Sequence, residues 1–430
     1  MPHNCRPPPG QAYLTIGQDF FAISDYLESA YNASLHVYLD QWKQQRKQQP
    51  SSPAPPPPPP PRRSENFPAA FMAYSDLATL AGLTTPTDYG TGVEYAKGLA
   101  ELLQPMNDVN YAHTTTATTT TGLQLGLWLG GADGCQAVVN GTWATQITRF
   151  VHYVATAPFY RVFVRLGYEF DNPSFGYYPA PDQYQQAWRI LVQACRRDNA
   201  CRTKGLFVWH SWGAGLQGNA TLSDFYPGEA YVDWMGVSIF QQVYHNNSSN
   251  NSSSPSIWSG GSYETLLPVL EFARAHDKPL MIAESTPFGW GVAYEKDVWE
   301  RWFVPVLNLL QEYRDVFAMW SYIDCNWEAQ PMWHGVGFGD TRAHRNATVQ
   351  RLWRQHVMEK TLGYGSLQKY CAVSSSSQHP ELADIAAPWS NDLFIIPPQF
   401  LIIAGLLLAL VVVALLGRRR RQHRPYEVVP

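Results

Sequence analysis

Two stretches, Tyr160-Arg-Val-Phe-Val-Arg-Leu-Gly-Tyr168-Glu169 and Pro279-Leu-Met-Ile-Ala283-Glu284, decide how this chain folds. Each is an apolar run without polar alternation, the pattern of a parallel strand covered on both faces, and each ends on a glutamate. Similar runs recur at Tyr13–Gly17, Ala69–Tyr74, Gly122–Leu129, Leu206–Trp209, Trp234–Ile239 and Phe317–Tyr322. With Arg161–Gly167 and Leu280–Ala283 they make eight. Helical stretches intervene. Tyr184, Ala187, Trp188, Leu191, Val192 and Cys195 form one stripe, and Leu266, Leu267, Leu270 and Ala273 form another. The alternation predicts an α/β chain folded as a (β/α)8 TIM barrel over residues 11–360. In such a barrel the C-terminal strand ends ring one pocket, so Glu169 and Glu284 are expected to meet there.

The rest of the chain is read outward from that barrel. A Pro-rich insert at 47–63 and a Thr run at 114–121 fall in helix-to-strand loops, at the face opposite the expected pocket. Asn246–Ser254 follows the sixth strand and belongs on the pocket side. Residues 371–392 read as a stalk, 393–417 as a single transmembrane helix, and 418–430 as a basic tail. Phe400–Leu416 is apolar without a break and Arg418–Arg421 follows it. The positive-inside rule puts that tail in the cytosol and the barrel outside or in a lumen. Sequons at Asn32, Asn140, Asn219, Asn246, Asn247, Asn250, Asn251 and Asn346 agree with a glycosylated surface. The start, Met1-Pro-His-Asn-Cys, carries no signal peptide, so either a true N-terminus is missing or the protein is tail-anchored; the first is expected.

A net charge of −4 gives no electrostatic reason to expect nucleic acid. The six cysteines lack metal-ligand spacing; Cys195 and Cys201 are the first candidate disulfide, with buried free thiols the alternative. No metal or other cofactor is expected, and the protein is read as a monomer. Gly213-Ala-Gly-Leu-Gln-Gly218 matches a dinucleotide fingerprint, but Pro227 and Gly228 interrupt the helix that motif requires.

Two facing carboxylates are the minimal apparatus for cleaving a glycosidic bond: one protonates the leaving oxygen, the other attacks the anomeric carbon, and the two carboxyl groups of a retaining site lie about 5–5.5 Å apart. Arg165 precedes Glu169 by four residues and is a candidate to keep the nucleophile ionised, or a core ion pair. Trp320 ends the eighth strand and is the candidate floor of the reacting-sugar subsite. Trp209, Trp212 and Trp290 on neighbouring strand ends extend that platform or pack in the core. Asp171 and Asn172 cap the next loop or contact substrate. His210 reads as a structural hydrogen-bonder rather than a base.

Arg165-Leu-Gly-Tyr-Glu169-Phe-Asp-Asn with Tyr184-x3-Trp188-Arg189, Tyr231-Val-Asp-Trp-Met-Gly-Val-Ser, and Lys278-Pro-Leu-Met-Ile-Ala-Glu284 together resemble glycoside hydrolase family 26 of clan A. The resemblance spans Tyr13 to Val357 and is strongest from Arg161 onward. It implies Glu169 as general acid/base, Glu284 as nucleophile, no metal, and a β-linked polysaccharide substrate of the mannan, xylan or β-glucan type. Tyr168 stands where the family commonly has His, yet still offers a hydroxyl to substrate. Phe240 stands where it commonly has Tyr. The expected function is a membrane-anchored retaining glycoside hydrolase. The alternatives are a catalytically inactive cell-surface glycan-binding barrel and a transglycosylase in cell-wall remodelling.

Overall fold

The computed structural model describes residues 5–18, 20–31, 68–83, 121–213, 215–216, 218–240, 263–287, 291–293, 296–330, 333–358 and 367–371. Eight strands form a closed parallel barrel in sequence order: β1 Tyr13–Ile16, β2 Ala70–Asp76, β3 Gly122–Trp128, β4 Val162–Leu166, β5 Gly205–Ser211, β6 Trp234–Ile239, β7 Leu280–Ser285 and β8 Phe317–Tyr322. β1 closes the ring on β8, with Leu14 opposite Trp320. Helices α1 Phe20–Tyr31, α2 Gly131–Val139, α3 Ala144–Thr156, α4 Pro181–Arg197, α5 Asn199–Lys204, α6 Tyr263–Ala275, α7 Val304–Glu312 and α8 Ala347–Trp353 lie among the connections.

Strand alternation sorts the core into two layers. On β4, Val162, Val164 and Leu166 face the helices, while Phe163 turns into the barrel. The helix-facing layer receives the predicted stripe of α4, all six residues of it buried. In the second predicted stripe Leu266, Leu270 and Ala273 are buried and Leu267 is only half-buried. Inside the barrel Tyr13, Phe163, Trp234, Met281 and Met319 fill the N-terminal end, with Phe163 edge-on to Trp234 at 5.3 Å. Each such side chain contributes about 1.5–3 kcal/mol by leaving water.

The N-terminal end is also the sealed end. A disulfide joins Cys5 to Cys371 there. The Tyr13 hydroxyl donates to the Cys5 carbonyl (2.9 Å) and Arg161 Nη2 to the Cys371 carbonyl (2.7 Å). The expected Cys195–Cys201 disulfide is present, joining α4 to α5, whereas Cys135 and Cys325 are buried free thiols. Among the sequons, Asn140 and Asn219 are exposed. Asn346 instead caps α8, accepting from Thr348 and Val349 while its amide donates to the Val292 carbonyl.

The insert at 47–63, most of the Thr run, Asn246–Ser254, the remaining sequons, Trp290, and residues 372–430 with the expected stalk, span and tail lie outside the described residues. Among the described residues no helix is long and apolar enough to cross a membrane.

Candidate active site

The C-terminal end of the barrel brings together Arg165, Tyr168, Glu169, Asn172 and Glu284 of the residues singled out by the sequence. Arg165 belongs to the inward phase of β4 and is completely buried. Its guanidinium reaches across the barrel to Glu284 Oε1 and lies over the rings of Tyr74 (4.9 Å) and Tyr168 (5.4 Å). Gly126, opposite it on β3, makes that room: a Cβ there would meet the Tyr74 ring at 2.7 Å and Arg165 Nη2 at 3.0 Å. Burial opposes the Arg165 charge, but Tyr74 and Glu284 beside it hold the group above its ordinary value.

Glu284 should not face inward on simple alternation. Leu280 and Ile282 face the helices and Met281 and Ala283 face the barrel, so the next residue belongs outside. A register shift corrects this. Val237 pairs with Ile282, but Ser238 pairs with Glu284, leaving Ala283 as an extra residue. Such a bulge re-aims the side chain that follows it. Gln124, buried in the middle of β3, ties the bulge down: its Nε2 donates to the Ala283 carbonyl (2.6 Å) and its Oε1 accepts from Ser321 (2.6 Å). Gln124→Leu is therefore expected to cost about 1–3 kcal/mol by leaving buried polar groups unpaired. It should also lower turnover because Glu284 loses its fixed aim. Chemical denaturation and activity of that variant check the point together.

Glu169 reaches the same space by a different device. The chain leaves β4 through two left-handed residues, Gly167 at φ 49° and Glu169 at φ 52°. A side chain at Gly167 would meet the Tyr184 ring at 2.8 Å. A glutamate in this region costs free energy, on the order of 1–3 kcal/mol, and persists only where its surroundings fix it. Here Ser238 Oγ donates to Oε1 (2.5 Å) and Asn172 Nδ2 to Oε2 (3.1 Å). Asn172 also caps the following turn through Ser174. Asp171 anchors the loop to β5 by accepting from Ser211 Oγ (2.7 Å) and the Trp212 N–H (2.5 Å). Burial, with the charge of Glu284 added to it, pushes the Glu169 carboxyl up to about 8; Ser238 and Asn172 act in the opposite direction.

His210 and Ser238 complete the arrangement. His210 lies between Arg165 (Nη1 to Nδ1, 3.3 Å) and Ser238 (Nε2 to Oγ, 3.0 Å). A continuous hydrogen-bonded path thus runs Glu284–Arg165–His210–Ser238–Glu169. Every member is buried. Burial and the Arg165 charge lower the pKa of His210 and so favour its neutral ring. Ser238 was not singled out, because a serine in an apolar strand carries no signal of its own. Its inward phase, two residues after Gly236, is the only hint.

The tryptophans need correction. Trp209 is fully buried on the helix-facing side of β5, stacked on Phe170 at 4.5 Å with its indole N–H donating to the Phe225 carbonyl. Trp320 is likewise fully buried outside the barrel, donating to Ser285 Oγ and packing on Trp353. Both occupy the outward phase of their strands, so neither touches the pocket. Trp212 falls in the inward phase and is 9% exposed. The aromatic wall of the mouth consists instead of Tyr74, Tyr168, Phe240, Trp327, Trp333 and Phe338. Trp327 stacks on Phe338 at 4.4 Å, and Phe338 meets Phe240 at 5.9 Å. Trp128, 42% exposed at the end of β3, is the one large hydrophobic side chain left open among the described residues. Among the described residues no group of three metal-ligating side chains occurs.

No family model matches the chain. A β-1,3-xylanase from an Alcaligenes species is 23% identical over 312 residues, covering 67% of this chain and 58% of that protein. A second, from a Vibrio species, is 24% identical over 314 residues, covering 68% and 60%. The chain thus spans about three-fifths of the length of these curated relatives. Among solved structures, a family 26 endo-β-1,4-mannanase from Cellulomonas fimi aligns with a TM-score of 0.48 at 13% identity, over 84% of this chain and 76% of that one. A family 26 β-mannanase from Bacteroides ovatus aligns at 0.47 and 12%, over 86% and 95%. The barrel itself rests on the strand pairing described above. This chain is similar in sequence to β-1,3-xylanases over about two thirds of its length, and it folds as a closed barrel of eight parallel strands.

Proposed function

We propose that the chain is a retaining glycoside hydrolase acting on a β-linked polysaccharide of the xylan, mannan or β-glucan type. One observation carries the reading. Two buried carboxylates lie close enough for the charge of Glu284 to act on Glu169, and their partners differ: Ser238 and Asn172 donate to Glu169, whose carboxyl burial pushes up, while Arg165 pairs with Glu284. That inequality is what general acid and nucleophile require. Glu169 gives its proton to the glycosidic oxygen while Glu284 bonds to the anomeric carbon. Glu169 then takes a proton from the water that displaces Glu284. Because both sequence relatives are β-1,3-xylanases, β-1,3-xylan is the first substrate to assay, before mannan, β-1,4-xylan, mixed-linkage glucan and laminarin. Proton NMR of the first product decides the stereochemistry: β-anomer released first supports the double displacement, and α-anomer first overturns it.

The same reading gives a pH dependence. Glu169 must carry a proton for the first step, so kcat/KM is expected to fall as pH rises through about 8. An alkaline limb at the ordinary carboxylate position, near 4.5, would remove the general-acid assignment.

The membrane anchor belongs to this proposal. The uncharged stretch up to Leu416 followed by four arginines supports a single span with the tail in the cytosol. Two disulfides support a barrel in an oxidising compartment, outside the cell or in a lumen. Protease protection of the tail in sealed microsomes tests it.

A further inference from the structure

The scheme above assigns no step to His210 or Ser238, yet both lie on the hydrogen-bonded path from Arg165 to Glu169. A guanidinium has no acceptor, so His210 Nδ1 must accept from Arg165 Nη1. The ring is neutral, and its proton therefore sits on Nε2, which donates to Ser238 Oγ. The Ser238 hydroxyl then turns its own proton to Glu169 Oε1. All three donors point the same way, from Arg165 toward Glu169.

We propose that His210 and Ser238 are positioning residues that aim a hydrogen bond at the ionised form of Glu169, and so serve the half-reaction in which Glu169 acts as base. The inference rests on the glycosidase reading. In the first half-reaction the Glu169 proton passes to the leaving oxygen as that C–O bond breaks and the bond from Glu284 forms. In the second, Glu169 takes a proton from water as the water oxygen bonds to the anomeric carbon and the ester to Glu284 breaks. Glu169 must wait between these steps as a carboxylate inside a buried pocket. Several groups face it. Asp171 from its own loop opposes its charge, as Glu284 from β7 does until it is esterified; Arg165 from β4 bonds Glu284 and His210; His210 from β5 is neutral; Tyr74 and Tyr168 stand over Arg165. Only Asn172 and Ser238 donate to it among the described residues. Asn172 rides on the same loop as Glu169. Ser238 belongs to a barrel strand, and it pairs with Glu284 in the β6–β7 register. It is the residue that fixes one carboxylate relative to the other.

The experiment is Ser238→Ala in the full chain, assayed with 2,4-dinitrophenyl β-1,3-xylobioside and with polysaccharide. Dinitrophenolate leaves without a proton, so its turnover reports the second half-reaction. We expect kcat on that substrate to fall about tenfold with a pre-steady-state burst. The alkaline limb of kcat/KM on polysaccharide should move up by about one pH unit, because a donor to the charged form is gone. A merely structural role moves neither the limb nor the burst, and an unmoved limb overturns the proposal. If the variant does not fold, 15N NMR of the wild-type imidazole decides: a proton on Nε2 of His210 is required, and one on Nδ1 overturns the relay. That measurement needs no turnover. A wild-type protein inert on every glycoside would sink the glycosidase reading while leaving the tautomer result to stand or fall alone.

Discussion

Glu284→Ala is expected to abolish turnover, with a loss on the order of 10^4-fold in kcat. The residue forms the only bond that links sugar to protein in the proposed scheme, and no neighbour can substitute. Glu169 needs its own proton, Asp171 is held by Ser211 and the Trp212 N–H, and Arg165 has no lone pair to offer. Deletion alone does not prove a nucleophile, because it also removes the partner of Arg165. Azide supplies the decisive readout. Entering the space that Glu284 leaves, it attacks the face opposite the leaving group and gives an α-glycosyl azide from an activated β-glycoside. Glu169→Ala places the vacancy on the other face. Azide there intercepts the covalent intermediate and gives the β-glycosyl azide. The two products of opposite configuration assign the two roles. The same product from both variants, or undiminished release of reducing sugar from either, would end the hydrolase reading. A Glu284→Gln protein that binds β-1,3-xylan oligosaccharides, from a wild type that never cleaves them, would leave the glycan-binding barrel as the function.

How much of this was legible depended on which physical signal each residue carries. The eight strands were readable because a parallel strand covered on both faces needs a short continuous apolar run, and this chain has eight. Glu169 and Glu284 stood out because an acidic residue at the end of such a run has no place in the core. Phase was harder. Trp320 and Trp209 look like platform residues by position, but one residue of phase sends a side chain to the helices instead of the pocket. Glu284 shows the same hazard with the opposite outcome: a plain count from Met281 puts it outside, and the bulge at Ala283 brings it back. A bulge is a pairing property of two strands, so Leu280–Ser285 alone cannot reveal it. Ser238 and Gln124 were invisible for a related reason. Their role lies in partners far along the chain, Glu169 for one and Ala283 for the other. The aromatic mouth rests partly on the loop after β8, where Trp327, Trp333 and Phe338 have no period to read.

Arg165→Leu is the second large effect, and it separates catalysis from folding. The guanidinium is fully buried and its partner nearly so. Removing it leaves the Glu284 carboxylate in a dry pocket without a counter-charge, which costs about 3–5 kcal/mol when a buried pair is broken from one side. The carboxylate can escape that cost only by taking a proton, and a protonated Glu284 is no nucleophile. Activity therefore falls steeply whichever way the site relaxes. Glu284→Gln alone strands the opposite charge, so it too lowers stability, though its amide oxygen still accepts from Arg165. Combining Arg165→Leu with Glu284→Gln removes both charges together. The double variant is expected to regain most of the stability lost by Arg165→Leu while remaining inactive, a coupling of several kcal/mol in a double-mutant cycle. Additive losses in denaturant unfolding would mean that the ion pair does not hold the pocket, and that Glu284 owes its position to the bulge and Gln124 alone.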